Sequence, residues 1–356
     1  MKNGEVPESF LRSSLQGLEP YVPGEQGAGN RIKLNTNESP YPPSPRVREA
    51  ISAAVARLNR YPSPAADEAR DAAAEAWRVD RRNVFVGNGS DEVLRLLFQA
   101  YVEPGDRVAW SVPTYTLYAV LARQVGARVI EDSRRGDYSV NAEQLAGAGA
   151  RMVLLCTPNS PTGTVTPRKD IEELCARTEG TRSLVVVDEA YADFSGETAI
   201  PLIERFAHLV VVRTLSKSYA LAGLRVGFAI ADRRRIDELL LLKDSYNVGV
   251  LSAAGAAAAL RDEEYAREIR EKIVAERERL AEGLTEAGWK VYPSGANFVF
   301  AEPPDREGGR AYEFLRARGI LVRWFGREPR TAAGVRITVG TARETKRLLE
   351  VIRDYG

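Results

Sequence analysis

One lysine and an arginine eight positions after it carry the most specific chemical signal in this chain. Lys217 and Arg225 lie in TLSKSYALAGLRVGF, residues 214–228, where small and hydroxyl residues flank the lysine. A lysine amine can form a Schiff base with an aldehyde cofactor, and a fixed cation can hold the phosphate of that cofactor. The pair therefore indicates a site for pyridoxal phosphate (PLP).

Arginine is the ordinary cation of this sequence, since only eight of its 50 basic residues are lysines and 42 are arginines. Charge alone does not require a lysine at position 217, whereas imine chemistry does, because the surroundings can lower the pKa of a lysine amine. Taken by itself, Lys217 could also be a solvated loop lysine. The neighbouring segments decide between these two interpretations.

A carboxylate is predicted at the end of a buried strand. Asp188 follows the apolar run LVVV at 184–187, where a charge is costly unless it has a partner. A protonated pyridine nitrogen is such a partner, and the charge-assisted hydrogen bond keeps the ring electron-withdrawing. Tyr191, three residues later, could bind the phenolic oxygen of the cofactor. The alternatives are a helix cap at Asp188 and a packed core tyrosine at Tyr191.

A phosphate-binding turn is predicted in VGNGSDEVLRLL, residues 86–97, which runs from a strand through two glycines into a helix. Free amides at the start of a helix, with Gly89 allowing a close approach of the chain, form a phosphate cradle. An ordinary turn capped by Ser90 or Asp91 is the alternative. The candidates for the cradle are Gly89, Ser90, Asp91, Ser216 and Arg225.

Two further turns follow predicted strands. Tyr115, in SVPTYTLY, could stack its ring on the pyridine face of the cofactor or pack in the core. CTPNSPTG, residues 156–163, ends in a turn of proline, asparagine and glycine, in which Asn159 and Ser160 could reach a cofactor oxygen. A plain tight turn is the alternative for this segment.

All these residues follow short apolar runs, which we interpret as strands of one sheet. The seven runs begin near residues 83, 107, 127, 152, 184, 209 and 225, with amphipathic or alanine-rich stretches between them. Strands that alternate with helices indicate an α/β fold, in which helices flank a mostly parallel seven-stranded sheet. Ligands of such sheets bind at the carboxyl ends of the strands.

The sequence divides into three predicted parts. Residues 1–35 form an N-terminal arm, residues 36–250 a large cofactor-binding domain, and residues 251–356 a smaller α+β domain. A long helix from about Asp262 to Ala287 is predicted to link the domains, because apolar residues recur at spacings of four and seven. Beyond it we expect four short strands, KVYPS, NFVFAEP, ILVRWF and GVRITVG, and helices near 310–318 and 343–353.

The composition argues against several classes of protein. The net charge is +1, from 50 basic and 49 acidic residues, so no global field attracts nucleic acid or an anionic membrane. The single histidine, His208, and the two cysteines, Cys156 and Cys175, offer little for a metal site, a Ser/His triad or a disulfide framework. The N-terminus lacks an apolar core of signal-peptide length, and the longest apolar stretch, NVGVLSAAGAAAAL, is too short to span a membrane, so we expect a cytoplasmic protein.

Together the segments resemble the PLP-dependent aminotransferases of fold type I, from KLNTNESPYPPSP at 33 to RITVGT at 336. The resemblance implies that Lys217 forms the Schiff base and moves the proton between substrate and cofactor, that Asp188 pairs with the pyridinium nitrogen and that Tyr191 binds the phenolic oxygen. It also implies that Tyr115 stacks on the ring and that the phosphate is bound by Ser90, Asp91, Ser216 and Arg225.

Two positions add to this resemblance. Tyr61, in NRYPSP, resembles a tyrosine that reaches the cofactor phosphate of a neighbouring subunit, which implies a homodimer. The family usually has asparagine immediately before Pro-Thr-Gly, where this chain has Ser160, with Asn159 one place earlier. Either Ser160 binds the cofactor oxygen, directly or through water, or Asn159 takes its place.

The resemblance also implies an amino donor. Arg336 resembles the arginine that grips the substrate anion, and its planar fork fits a carboxylate or a phosphate. Arg323 and Tyr21 resemble additional phosphate contacts, and Asn37 is a further substrate-binding candidate. We therefore expect histidinol phosphate as donor and 2-oxoglutarate as acceptor, in a ping-pong reaction.

Four other functions remain open at this point. An aromatic amino acid aminotransferase and a threonine-phosphate decarboxylase would be built similarly. A non-catalytic PLP-binding regulator would need a DNA-binding module, and no basic winged-helix segment precedes residue 33. An α/β protein with a chance lysine motif would not account for five compatible segments in one order.

Overall fold

Three β-sheets organise the chain in the computed structural model, which describes residues 10–12, 15–20, 23–26 and 31–355. The strands are β1 (Ile32–Lys33), β2 (Val84–Gly87), β3 (Arg107–Val112), β4 (Arg128–Ser133), β5 (Met152–Cys156), β6 (Leu184–Asp188), β7 (Leu209–Thr214), β8 (Gly227–Ala231), β9 (Lys290–Val291), β10 (Phe298–Glu302), β11 (Ile320–Leu321), β12 (Arg323–Trp324) and β13 (Val335–Thr338).

The α-helices lie between and after these strands. They are α1 (Pro45–Ala54), α2 (Asp67–Trp77), α3 (Ser90–Tyr101), α4 (Leu117–Val125), α5 (Ala142–Ala146), α6 (Arg168–Thr178), α7 (Arg233–Leu242), α8 (Val250–Arg261), α9 (Glu263–Glu286), α10 (Gly308–Ala317) and α11 (Ala342–Ile352). None of the helices in the described residues is both long enough and apolar enough to cross a membrane.

The large sheet has seven strands in the order β2-β8-β7-β6-β5-β3-β4. All seven coincide with the predicted apolar runs, and the sheet is parallel except for β8, which is antiparallel to β2 and β7. The reversal arises because residues 215–226, which join β7 to β8, contain a single short 3₁₀ helix, Ala222–Leu224, instead of a crossover α-helix. The predicted α/β fold with a mostly parallel seven-stranded sheet is therefore confirmed.

Helices cover both faces of this sheet, which explains why the central strands β5, β6 and β7 are apolar except at their carboxyl ends. In β6, Val185 and Val187 pack on one face against α2, α6 and α8. Leu184 and Val186 pack on the other face against α3, α4 and α7. Since both faces are buried, only the strand ends are free to present polar side chains to a ligand.

The small sheet is antiparallel and has the order β12-β13-β10-β9. Helix α9 begins at Glu263 and ends at Glu286, within one residue of the predicted bounds, and packs Ile273, Leu280 and Leu284 into the core beside this sheet. Helix α8 instead packs its alanine face into the core of the large sheet.

The segment ILVRWF, which the sequence analysis predicted to be a single strand, forms two strands. Its first half, β11, pairs in parallel with β1, and its second half, β12, pairs with β13 in the small sheet. The pairing of β1 holds the segment that follows it against β13, where the amide of Thr338 donates to the carbonyl of Leu34 at 2.9 Å. Residues 35–37 are thereby brought to the edge of the large sheet.

Candidate active site

A cavity of about 230 Å³ lies between the carboxyl ends of the large-sheet strands and the small sheet. It collects side chains from segments that are far apart in the sequence, as the strand-end argument predicted. The predicted site residues that line it are Asn37, Ser90, Asp91, Tyr115, Ser160, Asp188, Tyr191, Ser216, Lys217, Arg225, Arg323 and Arg336.

Lys217 enters the cavity from the segment that follows β7. Its Nζ donates to the carbonyl of Thr36 at 3.3 Å and lies 5.8 Å from the centre of the Tyr191 ring. Burial, and next the charge of Arg336, lowers the pKa of Lys217 from 10.5 to about 8. Near neutral pH a useful fraction of the amine is therefore neutral, which is the form that attacks an aldehyde.

Hydrogen bonds on both sides hold the Lys217 segment in place. Thr214 Oγ1 donates to Ser216 Oγ at 3.0 Å, and Ser218 donates to Asp193. Asp193 in turn accepts from Arg213, whose other terminal nitrogen donates to Glu189 at 2.8 Å. This triad of Arg213, Glu189 and Asp193, in which only Asp193 is partly exposed, connects the lysine segment to the end of β6.

Asp188 ends β6 inside the cavity wall and is only 3% exposed. Its Oδ2 accepts from the hydroxyl of Tyr118 at 2.8 Å, and its Oδ1 accepts from the amide of Ala190 at 3.2 Å. Burial raises the pKa of Asp188 from 3.8 to about 6, and no basic side chain in the described residues forms an ion pair with it. A cationic N–H group in the cavity would be the missing partner of this carboxylate.

Tyr191 is linked to the small sheet through Asn37. The Nδ2 of Asn37 donates to Tyr191 Oη at 2.9 Å, and Thr338 Oγ1 donates to Asn37 Oδ1 at 3.1 Å. Burial raises the pKa of Tyr191 to about 12, so the phenol keeps its proton. Because its oxygen accepts from Asn37, that proton is available to a ligand oxygen.

Gly89 and Arg225 build a narrow cradle at the start of α3. A Cβ on Gly89 would lie 2.6 Å from Nη2 of Arg225, and the φ of +82° at Gly89 also favours glycine. Arg225 pairs with Asp91 at 3.1 Å, and Asp91 also accepts from the Tyr115 hydroxyl at 3.3 Å. Because α3 begins at Ser90, the amides of its first turn have no acceptor within the helix, which suits an anion.

Two arginines lie at the opposite side of the cavity. Arg336, on β13, donates to Ser160 Oγ at 2.9 Å and to the carbonyl of Asn35 at 2.8 Å. Arg323, on β12, donates to the carbonyl of Pro23 at 3.2 Å. Both guanidinium groups lie between 5 and 6 Å from the ring of Phe325, which also lines the cavity.

Ser160 and Asn159 have different surroundings. Ser160 lines the cavity, whereas Asn159 is fully buried behind its wall. The Nδ2 of Asn159 donates to the carbonyl of Pro113 and to Thr162 Oγ1, and its Oδ1 accepts from Thr114 Oγ1. Asn159 is therefore not brought to the cavity, because its polar atoms are used within the protein.

Two predicted residues lie away from the cavity or outside the description. Tyr61 is 81% exposed and stacks on Tyr246, with ring centres 4.4 Å apart. Within one chain it does not line the cavity, as expected if it serves a neighbouring subunit. Tyr21 falls outside the residues that the structure describes.

Sequence reasoning missed several residues of the site. Tyr118 binds Asp188, and its spacing of three from Tyr115 was a signal that both face the same side of a helical turn. Arg213 was detectable as a cation that interrupts a buried apolar strand. Thr36 and Phe325 gave no signal, because their positions depend on how the small sheet packs against the large one.

The residues fit a ligand with three features. A neutral amine can bind an aldehyde, a buried carboxylate can hold a cationic ring nitrogen, and a cradle with an arginine can hold a phosphate. PLP has all three groups. The two arginines that remain can hold the anion of a substrate.

Comparisons with known proteins agree with this reading. A family model described as aminotransferase class I and II matches residues 30–352. A histidinol-phosphate aminotransferase of Geotalea uraniireducens is 42% identical, covering 97% of this chain and 99% of the relative. Histidinol-phosphate aminotransferase 1 of Bradyrhizobium diazoefficiens is 46% identical with the same coverage.

Solved structures show the same fold. The crystal structure of histidinol-phosphate aminotransferase from Sinorhizobium meliloti in complex with pyridoxal-5'-phosphate superimposes with a TM-score of 0.88 at 26% identity, covering 98% of this chain and 99% of that one. The family match spans most of the chain, and the relatives are similar over nearly all of it. This chain therefore belongs to the class I and II aminotransferases.

Proposed function

We propose that this protein is a PLP-dependent aminotransferase that transfers the amino group of histidinol phosphate to 2-oxoglutarate. The observation that carries the proposal is the shared cavity of Lys217 and Asp188, an amine with a lowered pKa and a buried carboxylate that pairs with no cation among the described residues. The names of relatives at 42% and 46% identity support the choice of donor.

The cavity residues divide naturally among the parts of PLP. When bound, PLP supplies an electron sink that acidifies the Cα–H bond of an attached amine. Asp188 would keep the proton on the pyridine nitrogen, and Tyr191 would donate to the phenolic oxygen, with Ser160 beside it. Tyr115 would cover the ring face, and the phosphate would be held by Gly89, Ser90, Asp91, Ser216 and Arg225.

Lys217 has two tasks in this proposal. In the resting protein its Nζ would hold the aldehyde carbon of PLP by a covalent bond. Once the donor amine has displaced it, the same nitrogen would remove the proton from the donor Cα and return a proton later. A pKa of about 8 suits both tasks, because a general base works best when its pKa is close to the working pH.

The two arginines support a phosphorylated donor. Arg336 alone would suffice for the single charge of an α-carboxylate, whereas Arg336 with Arg323 presents two guanidinium groups to one anion. The phosphate of histidinol phosphate carries nearly two negative charges at neutral pH and matches this pair.

The decisive experiment assays the purified protein with histidinol phosphate, phenylalanine, tyrosine and aspartate, each against 2-oxoglutarate. We expect histidinol phosphate to have the highest kcat/KM. Lys217→Ala is the negative control. It should lose both the absorbance of bound PLP near 400 nm and nearly all turnover. A higher kcat/KM for phenylalanine would favour an aromatic amino acid aminotransferase, and release of carbon dioxide from threonine phosphate would favour the decarboxylase.

We further propose a homodimer that works in the cytoplasm. The stacked rings of Tyr61 and Tyr246 form an exposed apolar patch. Such a patch on a soluble enzyme favours association with a second copy, in which Tyr61 would reach the neighbouring cradle. Four more exposed apolar residues lie within six residues of these tyrosines in the sequence: Val55, Leu58, Leu241 and Leu242.

Sedimentation analysis of the wild type and of Tyr61→Ala tests this proposal. We expect the wild type to sediment as a dimer of 39.2 kDa chains and the variant to bind PLP more weakly. Leu11→Ala, also at an exposed apolar residue but outside the patch, is the control and should behave as the wild type. A monomeric wild type with full activity would contradict the dimer.

A further inference from the structure

Asn159 joins two turns that line the cavity without lining the cavity itself. We propose that Asn159 is a positioning residue, which fixes the Tyr115 ring relative to the Ser160 hydroxyl and thereby determines where the PLP ring can sit. This inference rests on the proposed function, because it assigns both Tyr115 and Ser160 to PLP.

The contacts of Asn159 cross from one turn to the other. Its Nδ2 donates to the carbonyl of Pro113 at 3.1 Å, and its Oδ1 accepts from Thr114 Oγ1 at 3.1 Å. These two residues immediately precede Tyr115, and Asn159 immediately precedes Ser160. One fully buried side chain thus binds the backbone of the Tyr115 turn and the side chain of its neighbour.

Asn159 is also fixed within its own turn. Its Nδ2 donates a second hydrogen bond to Thr162 Oγ1 at 2.8 Å, its backbone amide donates to the carbonyl of Thr164 at 2.8 Å, and its carbonyl accepts from Gly163 at 2.7 Å. Two backbone hydrogen bonds therefore fix Asn159 in its own turn even without the Thr162 contact, and its side chain carries that position to the Tyr115 turn.

The chemistry of these contacts requires an amide. Two N–H donors and one carbonyl acceptor are used, and only asparagine or glutamine offers this combination on one side chain. Aspartate would place a carboxylate against the carbonyl of Pro113, and serine would be too short for both partners. Arg134 Nε also donates to the Pro113 carbonyl at 3.1 Å, which holds the same turn from the far side.

The position of Asn159 explains how Ser160 can replace the asparagine that the family usually has immediately before Pro-Thr-Gly. The residue at position 160 needs only to present one hydrogen-bond donor to the cavity, because Asn159 already fixes this part of the cavity wall. Ser160 Oγ accepts from Arg336 at 2.9 Å, so its single proton is left for a ligand oxygen.

The test compares four variants of the whole protein, with and without PLP. Asn159→Ala removes every side-chain contact across the turns, and Thr114→Val removes one of them. Thr114→Ser keeps the hydroxyl and is the conservative rescue, while Thr162→Val removes a contact of Asn159 within its own turn and is the matched control.

Two measurements separate positioning from general stability. The first is amide hydrogen exchange of residues 114–116 in the chain without PLP. The second is the dissociation constant of PLP, together with the visible circular dichroism of the bound cofactor, which reports its asymmetric surroundings.

We expect Asn159→Ala and Thr114→Val to speed exchange at 114–116 and to weaken PLP binding by about threefold to tenfold, the cost of one hydrogen bond. The circular dichroism band should shrink in parallel. Thr114→Ser and Thr162→Val should stay within about twofold of the wild type, even where their melting temperatures fall.

The inference would be overturned if Thr162→Val weakened PLP binding as much as Thr114→Val does, or if exchange at 114–116 did not respond to Asn159→Ala. Should Asn159→Ala fail to fold, the pair Thr114→Val and Thr114→Ser decides alone. A wild type that binds no PLP would instead refute the proposed function, while the exchange data would still report on the bridge between the turns.

Discussion

Arg323 and Arg336 lie directly opposite each other in the antiparallel pair of β12 and β13, and both line the cavity. Like charges at directly opposed positions of a sheet are destabilising. Such a pair is therefore costly in the free protein and favours an anion that both guanidinium groups can bind. A phosphate has enough oxygen atoms to bind two guanidinium groups, whereas a single guanidinium group already occupies both oxygen atoms of a carboxylate.

Arg323→Gln tests this arrangement. We expect the KM for histidinol phosphate to rise about tenfold to a hundredfold, the range for losing a hydrogen bond to a charged group, while the KM for phenylalanine changes much less. Arg327→Gln is the control, since Arg327 is exposed and pairs with Glu19 away from the cavity. Equal losses for both donors would show that Arg323 does not distinguish phosphate from carboxylate.

Asp188→Asn should stabilise the cofactor-free chain while it weakens PLP binding. Burial raises the pKa of Asp188 from 3.8 to about 6, so the folded chain binds this proton more tightly than the unfolded chain. The free energy of unfolding of the wild type therefore falls as the pH rises from about 4 to about 6. At pH 8 the ionised Asp188 lowers it by at most about 3 kcal/mol.

Urea unfolding of the wild type and of Asp188→Asn, both without PLP, tests the direction of this effect. We expect the free energy of unfolding of Asp188→Asn to exceed that of the wild type by about 1 to 3 kcal/mol at pH 8, and by roughly half as much at pH 5. A variant that is less stable than the wild type at pH 8 would indicate that the carboxylate has a partner in the free chain.

Lys217 should react with aldehydes at a lower pH than exposed lysines do. Burial lowers its pKa from 10.5 to about 8, and only the neutral amine attacks. Borohydride trapping of PLP on the cofactor-free chain, followed by peptide mapping, should give a labelling rate at position 217 that is half-maximal near pH 8. Lys169, which is exposed, is the internal control and should be labelled much more slowly than position 217 at pH 8.

Most of the fold could be predicted because local patterns determine it. The first four residues of β6, LVVV, are apolar, and the run LVVVD was identified as a buried parallel strand. Helix α9 was identified by its apolar spacing. The reversal of β8 and the division of ILVRWF into two strands could not be predicted. Both depend on which strands pair across long sequence separations, and local periodicity carries no information on pairing.

The site was predictable where one residue type is required by chemistry. Lys217 is informative on its own because most cations of this chain are arginines. Asp188 is informative because it follows four apolar residues. Asn159 and Ser160 could not be distinguished, since adjacent residues in a turn differ only in the direction of their side chains. That direction is determined by Pro113 and Thr114, which are more than forty residues away in sequence.

The triad of Arg213, Glu189 and Asp193 predicts that stability depends strongly on a single arginine. Arg213 donates to Glu189 at 2.8 Å and also to Asp193, and Glu189 is fully buried. Burial raises the pKa of Glu189, which shows how poorly this carboxylate would be accommodated alone. Arg213→Met leaves two carboxylates without their cation, and we expect a loss of about 3 to 5 kcal/mol in the free energy of unfolding.

Arg205→Met is the matched control for Arg213→Met, because Arg205 pairs with Glu172 on the surface and not in the core. An exposed pair contributes at most about 1 kcal/mol, so the control should unfold at nearly the wild-type urea concentration. Because Asp193 also accepts from Ser218, next to Lys217, the loss of Arg213 should in addition slow trapping of PLP at position 217. Equal stability of the two variants would mean that the triad neither supports the core nor holds the lysine segment in place.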